Sequence, residues 1–295
     1  MSFSYETMIS RNLGFVDEAE QKRLAESSVF VCGVGGMGGG TLQSLVRAGI
    51  CKFEIADFDS FEVSNLNRQV FATLDTLGHN KVLATKAALL KINPQCEIRT
   101  HGGEWTEKLD EILDRCKVVV NGMDDVVAGL YLYRRAKVKN ATVIDAYTSP
   151  LPSVTSVHPE ARRPEERLGY PTVGVPLHEI TDEMVQTCKL REIEYVLTHS
   201  SSATAVHLEI ASEMFAGQRP RMSFAPMVIT TGNLMAFEVI RTILGRDSKG
   251  MERGYFFNPW KIRIEKHCNP IVAFFMKFIV RHFLKRFLKQ EALPC

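Results

Sequence analysis

Apolar residues fall in short runs separated by stretches with helical spacing, first at Ser28 to Cys32 and then at Lys52 to Asp57, Cys96 to Thr100, Lys117 to Asn121 and Thr142 to Ala146. Runs of that length read as buried strands. Helical patterns lie between them. Asp17 caps one that reaches about Ser27, Gly38 to Ala48 is closed by Gly49, Lys81 to Ile92 is stopped by Asn93-Pro94, and Thr106 to Arg115 and Asp125 to Lys137 follow. Strand and helix alternating in this way predict a Rossmann-like, doubly wound α/β fold, a mostly parallel sheet with helices on both faces. After Ser149-Pro150-Leu151-Pro152 the pattern changes. Ser153 to His158 reads as an extended segment and the polar, proline-rich stretch Pro159 to Pro176 as an excursion or crossover loop. Thr181 to Val196, Ala203 to Ala216 and Val228 to Leu244 read as helices, and Tyr255 to Phe257 and Lys261 to Glu265 alternate like antiparallel edge strands. The expected organisation is one domain over residues 1–265, with a variable segment at 150–222, followed by a helical tail over 266–295.

The tail changes the picture of charge. Its helix opens at Asn269-Pro270, a cap followed by proline. Lys277, Arg281, Lys285 and Lys289 then recur every four residues beside His282 and Arg286, while Ile271, Phe274, Phe275, Phe278, Ile279, Phe283, Leu284, Phe287 and Leu288 cover the remaining circumference. Residues 261–290 carry a local charge of +7 although the chain totals +2, so the basic character belongs to the tail. A phenylalanine-rich cationic helix suits an anionic membrane surface or a groove on a partner protein through residues 270–290. The alternative is a helix docked on its own domain or on a second copy. Base recognition in nucleic acid is disfavoured, because the exposed mixture of aromatic and polar residues it needs is missing.

Composition narrows the class further. A hydrophobic content of 45% is ample for a core and excludes a disordered chain. The seven cysteines are scattered, odd in number and never spaced as Cys-x-x-Cys, so neither a disulfide framework nor a structural zinc is expected. Several lie in apolar runs, which points to buried thiols in a reducing cytoplasm. Met1 to Ser10 shows no basic segment followed by an apolar one, and no uninterrupted apolar stretch reaches the roughly 18 residues of a spanning helix.

The chemistry is concentrated where the first strand breaks into Gly33-Val34-Gly35-Gly36-Met37-Gly38 and a helical pattern follows. Glycines at Gly33, Gly35, Gly36 and Gly38 would put backbone N–H groups at a helix N-terminus, where they can hold phosphate oxygens. Asp57 ends the next strand, where it would reach a ribose hydroxyl, with Asp59 beside it. To this point an NAD enzyme fits equally well. The cluster Asn65-Leu66-Asn67-Arg68-Gln69, followed by Lys81, is more than a diphosphate requires, and suits a triphosphate undergoing chemistry. Taken singly, Asp57 could be an ordinary cap and Lys81 a solvated helix residue. Asp124 and Asp125 follow a strand directly, and the reading gives Asp124 to a metal and Asp125 to the helix cap.

Gly-Val-Gly-Gly-Met-Gly, Asp57-Phe58-Asp59, Asn65 to Gln69, Lys81 after Leu77-Gly78-His79-Asn80, Ile92-Asn93-Pro94 and Asn121-Gly122-Met123-Asp124-Asp125 occur in an order that resembles the ThiF/MoeB family. The resemblance covers roughly residues 8 to 148 and resumes from Phe224-Ala225-Pro226 to Ala236-Phe237-Glu238-Val239-Ile240. It implies adenylation of a carboxylate with ATP and Mg²⁺. Gly35 and Gly36 would sit under the phosphates, Asp57 would hold the ribose, Asn65 and Arg68 would contact the phosphate chain, Lys81 would neutralise the α- and β-phosphates, and Asp124 would bind the metal. It also implies a homodimer in which Arg11 reaches the terminal phosphate of the other subunit. The plain alternative for Arg11 is a surface residue near a frayed end. The expected substrate is the C-terminus of a ubiquitin-like or sulfur-carrier protein, or a peptide. An ATP-dependent dehydratase or cyclase like the family branch acting on threonylcarbamoyl-tRNA remains open, as does a nonenzymatic nucleotide-binding adaptor. Where sulfur-transferring members have a cysteine, this chain has Ala216-Gly217-Gln218-Arg219, so a covalent relay is not expected there; Cys188 is the only cysteine placed to substitute for it, and it reads instead as a packed helix thiol.

Overall fold

The computed structural model describes residues 2–215, 217–246 and 250–290, with backbone alone at 215 and 286–290. Ala216 and the side chains of Arg286, Phe287, Leu288 and Lys289 therefore lie outside the described residues. In chain order the elements are α1 (Tyr5–Ile9), α2 (Glu18–Glu26), β1 (Ser28–Cys32), α3 (Gly36–Arg47), β2 (Lys52–Ala56), α4 (Lys81–Ile92), β3 (Glu97–His101), α5 (Trp105–Arg115), β4 (Val118–Asn121), α6 (Val126–Val138) and β5 (Thr142–Asp145). They continue with β6 (Ser153–Val157), α7 (Pro164–Arg167), α8 (Asp182–His199), α9 (Leu208–Phe215), α10 (Ala225–Leu244), β7 (Tyr255–Asn258), β8 (Arg263–Lys266) and α11 (Pro270–Gln290).

The strands form one sheet in the order β3-β2-β1-β4-β5-β6-β7-β8. Pairs from β3 through β5 are parallel, and β6, β7 and β8 add on antiparallel. Because successive strand residues point to opposite faces, β1 feeds two cores. Val29 and Val31 pack with Leu42 and Leu45 of α3 and Met235 and Val239 of α10. Phe30 and Cys32 pack with Trp105 and Leu109 of α5 and Leu132 of α6. Both faces of the central strands are covered, which is why they read as continuous apolar runs.

Several boundaries differ from those the sequence predicts. Helix α3 begins at Gly36 rather than Gly38, and the excursion after Pro159 contains the one-turn α7. The helix expected over 203–216 is broken into a 3₁₀ turn at Ser202–Ala205 and α9. An additional α1, capped by Ser4, is tied down by the Tyr5 hydroxyl, which donates to the Gly49 carbonyl at 2.7 Å. Helix α10 is long and apolar enough to cross a membrane by composition. It instead packs along α3, where a Cβ at Gly232 would lie 2.7 Å from the Met37 carbonyl oxygen, and it carries the buried Glu238.

Candidate functional site

The strand order reverses between β1 and β4, so a crevice opens outside their C-terminal ends, the usual ligand position in such sheets. On its floor the turn after β1 meets the turn after β4. A Cβ at Gly33 would lie 2.7 Å from the Gly122 carbonyl carbon, one at Gly122 would lie 2.4 Å from the Gly33 oxygen, and one at Gly38 would lie 1.9 Å from that same oxygen. Gly33 also has φ +83°, a left-handed conformation that favours glycine.

The four glycines therefore do different work. Gly33 and Gly38 allow the two turns to touch, and Gly36 makes room for α10, since a Cβ there would meet Val228 Cγ1 at 2.5 Å. Gly35 caps α3, and a Cβ there would make only ordinary contact with the Gln69 side chain at 3.5 Å. Of the set expected to lie against phosphate, Gly35 is the one whose surroundings leave space.

Around this turn the predicted residues gather. Asp57 accepts hydrogen bonds from the Val34 N–H to Oδ2 and the Asp59 N–H to Oδ1, both at 3.0 Å, so it braces the glycine turn and keeps one lone pair per oxygen for a hydroxyl donor. Lys81 is only 7% exposed, and its Nζ donates to Asp59 Oδ2 at 2.8 Å. Asp59, expected to touch the ligand, thus orients the ammonium. Asn65 is engaged within its own turn. It is buried, its Oδ1 accepts from the Glu62 N–H, its Nδ2 donates to Ser64 Oγ, and its carbonyl accepts from the Arg68 and Gln69 N–H groups. Its carboxamide builds the turn that presents its neighbours.

Arg68 and Gln69 lie alongside the start of α3, with Arg68 Cγ 3.8 Å from the Cβ position of Gly36. Arg68 Nη1 donates to the Ser64 carbonyl and to Asn67 Oδ1, each at 2.8 Å. Gln69 Oε1 is buried with no hydrogen-bond partner among the described residues. A buried acceptor left unpaired is costly, and here it borders the open end of α3, where a ligand or water could donate to it. Beyond β4, the Asp125 side chain caps α6 by accepting from the Ala128 N–H at 2.8 Å, as expected. Asp124 has a side chain that is 80% exposed and, among the described residues, meets only a long contact from Arg221 Nη1 at 3.4 Å.

Three features escaped the sequence reading. Residues 221–224 strap across the site: Arg221 contacts Asp124, and the Ser223 carbonyl accepts from Asn67 Nδ2 at 2.9 Å. Arg167 lies 5.7 Å over the Tyr147 ring and 4.9 Å over that of Tyr195, and among the described residues its buried guanidinium nitrogens have no hydrogen-bond acceptor. Asp145 ends β5 as Asp57 follows β2, a signal that could have been read. Its Oδ2 accepts from Asn121 Nδ2 at 2.9 Å and the Tyr133 hydroxyl at 2.7 Å, while the Asn121 Oδ1 accepts from the Met123 N–H next to Asp124.

Burial pushes the Asp145 carboxyl up to about 7 despite hydrogen bonds from Asn121, Tyr133 and the Ala146 N–H. An ordinary aspartate titrates near 3.9, so the folded state holds an extra proton between about pH 4 and 7. Stability then falls as pH rises through that window and levels off above it. Asp145→Asn is expected to flatten the fall by about one proton in denaturant melts taken from about pH 5 to 8. An unchanged slope would remove Asp145 as its source.

Arg11 is exposed on the 3₁₀ turn Ser10–Asn12. The neighbouring Asn12 Nδ2 donates to the Ala48 carbonyl at 3.2 Å, which places this turn at the C-terminal end of α3. The 12 residues of α3 span about 18 Å, so Arg11 stands far from the glycine turn of its own chain. Cys188 is buried on α8 among Leu130 and Tyr170, and burial raises its thiol pKa, which opposes a role as nucleophile. Among the described residues no group of three or more His, Cys, Asp or Glu side chains is arranged to hold a metal.

The ThiF family model matches residues 9–270 and so spans the stretch from 150 to 220 that the motifs left unassigned. A sulfur carrier protein adenylyltransferase from Thermus thermophilus is 38% identical over 106 residues, which is 36% of this chain and 39% of that protein. A tRNA threonylcarbamoyladenosine dehydratase from Bacillus subtilis is 36% identical over 102 residues, 35% of this chain and 40% of its own length. The chain spans less than half the length of these curated relatives. Among solved structures, E. coli MccB with ATP superposes with a TM-score of 0.63 at 18% identity, covering 92% of this chain and 75% of that one. At that identity the likeness concerns the fold.

Proposed function

We propose that this chain, which belongs to the ThiF family, is an ATP-dependent adenylyltransferase that activates a carboxylate and releases pyrophosphate. The observation that carries the reading is the joining of an open glycine-capped helix end, a buried lysine ammonium and the unpaired Gln69 acceptor in one crevice. A carboxylate oxygen would attack the α-phosphorus as pyrophosphate leaves, so negative charge would grow on phosphate oxygens. The protein meets that growth with fixed groups. The N-terminus of α3 offers N–H donors and a partial positive charge. Lys81, held by Asp59, offers a pre-oriented ammonium, and Arg68 offers the guanidinium N–H groups not already donated to Ser64 and Asn67. Asp124 fits Mg²⁺, which commonly takes one or two carboxylates and completes its shell with phosphate and water. Bound Mg²⁺ would supply a hard Lewis acid that neutralises phosphate charge. The weak Arg221 contact leaves that carboxylate available.

The expected partner is a ubiquitin-like or sulfur-carrier protein, or a peptide, presenting a C-terminal carboxylate; the likeness to the Thermus adenylyltransferase supports this choice. The likeness to the Bacillus dehydratase favours a second reading, an ATP-dependent dehydratase or cyclase working from the same nucleotide site. A cytoplasmic setting suits the free thiols of all six described cysteines. Calorimetry is expected to show heat of binding for ATP with Mg²⁺ and little for NAD. Tight NAD binding without response to ATP would sink the assignment.

The remoteness of Arg11 from its own glycine turn supports a homodimer in which it acts on the other subunit. Mixing inactive Arg11→Ala with inactive Asp124→Ala is then expected to restore activity, because hybrids hold one intact site. No recovery in dimers shown to exchange subunits would count against the trans arrangement.

A further inference from the structure

Nothing in the nucleotide site accounts for α11. The helix lies along α8, with Val280 buried and Ala273, Met276, Phe283 and Leu284 half-buried on the docked stripe. Arg281 secures it, since Nε and Nη2 each lie 3.0 Å from a carboxylate oxygen of Glu194. The opposite stripe faces outward. Ile271, Phe274, Phe275, Phe278 and Ile279 are 58–76% exposed, a large apolar band for a helix that is already docked. We propose that this outward face is a peripheral binding surface for an anionic lipid bilayer.

Charge selects this occupant over others. Lys277 and Lys285 are exposed and have no acidic partner among the described residues. Glu265, the one acid between residues 261 and 285, is turned inward to accept from the Ser201 N–H and hydroxyl, Asn258 and Arg263. Among the described residues Lys277 and Lys285 therefore stand beside the apolar face with no opposing carboxylate. Lysines beside an apolar centre are depleted in protein interfaces, whereas they flank the apolar face of helices that lie in a lipid headgroup layer. Pairing this face with itself in a second copy would bring like charges together. At 21 residues the helix is about 31 Å long, enough to lie flat along a bilayer with its side chains in the headgroup boundary. The β7–β8 hairpin, which leads into α11, adds exposed Trp260 and Ile262 around Lys261. This inference does not depend on the adenylation chemistry.

Sedimentation of the full chain with vesicles tests it. The chain is expected to pellet with vesicles of phosphatidylcholine and phosphatidylglycerol in equal parts, to stay soluble with phosphatidylcholine alone, and to be released by high salt. Phe275→Glu with Phe278→Glu should abolish pelleting while leaving the melting temperature unchanged, because both rings already stand in water. Phe275→Ser with Phe278→Ser provides the same comparison should the glutamates disturb the helix. Lys277→Gln with Lys285→Gln should weaken anionic-vesicle binding on the order of thirtyfold. Absence of pelleting at low salt, or pelleting that survives the phenylalanine changes, would overturn the proposal. So would loss of an oligomer in sedimentation velocity on the same changes, since the face would then belong to a protein contact.

Discussion

Lys81→Ala is expected to lower turnover at saturating ATP by about 10²-fold or more, the scale of a lost electrostatic contact to a transition state. The lysine opens α4 beneath the Asn80 cap, and its main-chain N–H donates to the Asp59 carbonyl while its ammonium pairs with the Asp59 carboxylate. Both ends of the side chain are thus held before any ligand arrives. A pre-oriented, nearly buried ammonium costs little reorganisation when charge grows on phosphate, and that makes it worth more than a solvated lysine. Removing it leaves Asp59 about half exposed, where water can solvate the carboxylate, so the fold should survive. Asp124→Asn should behave similarly, through loss of the exposed carboxylate expected to meet Mg²⁺. Near wild-type turnover in Lys81→Ala, measured with folded protein, would remove the lysine from the mechanism.

Gly38→Ala is expected to damage the fold itself. Its Cβ would stand 1.9 Å from the Gly33 oxygen and 3.2 Å from Val31 Cγ1. The first obstacle is backbone in a turn already pressed against Gly122, so it has nowhere to move. The cost should reach or exceed the upper end of the roughly 1–3 kcal/mol typical of overpacking. For a chain of this size that lowers the melting temperature by about 6–12 °C. Gly103→Ala is the comparison, since a Cβ there meets nothing within 4 Å and the residue has no positive φ. Equal melting of the two variants would show that the contact between the two turns is not as tight as described.

The parts legible in the sequence were those governed by local pattern. Strands buried on both faces left apolar runs, and Asp125 declared itself as a cap because the residue types around it suit the start of α6. The gathering of Gly35, Asp57, Arg68, Lys81 and Asp124 was legible from motif order. Which atom of each residue faces a ligand was not, because partners distant in sequence decide it. Asp59 is claimed by Lys81, 22 residues on, and Asp57 by Val34, 23 residues back. Asn65 shows a nearer limit: its carboxamide is engaged by the Glu62 N–H and Ser64 of its own turn. The strap at 221–224 was hidden because it carries no periodic pattern and is defined by contacts to Asn67 and Asp124. Glu54 is a buried acid in the apolar strand β2. It is paired there with His101 and with Arg115, 47 and 61 residues away.

The measurement closest to the central claim follows the bond in ATP that is cut. The full chain, with Mg²⁺ and ATP labelled at the α-phosphate, is incubated with a peptide library carrying free C-terminal carboxylates and, separately, with the same library amidated. Carboxylate activation predicts, with the free library alone, unlabelled pyrophosphate and a labelled peptidyl adenylate that releases labelled AMP on hydrolysis, and loss of all of these with Lys81→Ala. Labelled ADP, or AMP formed equally with the amidated peptides, would contradict it.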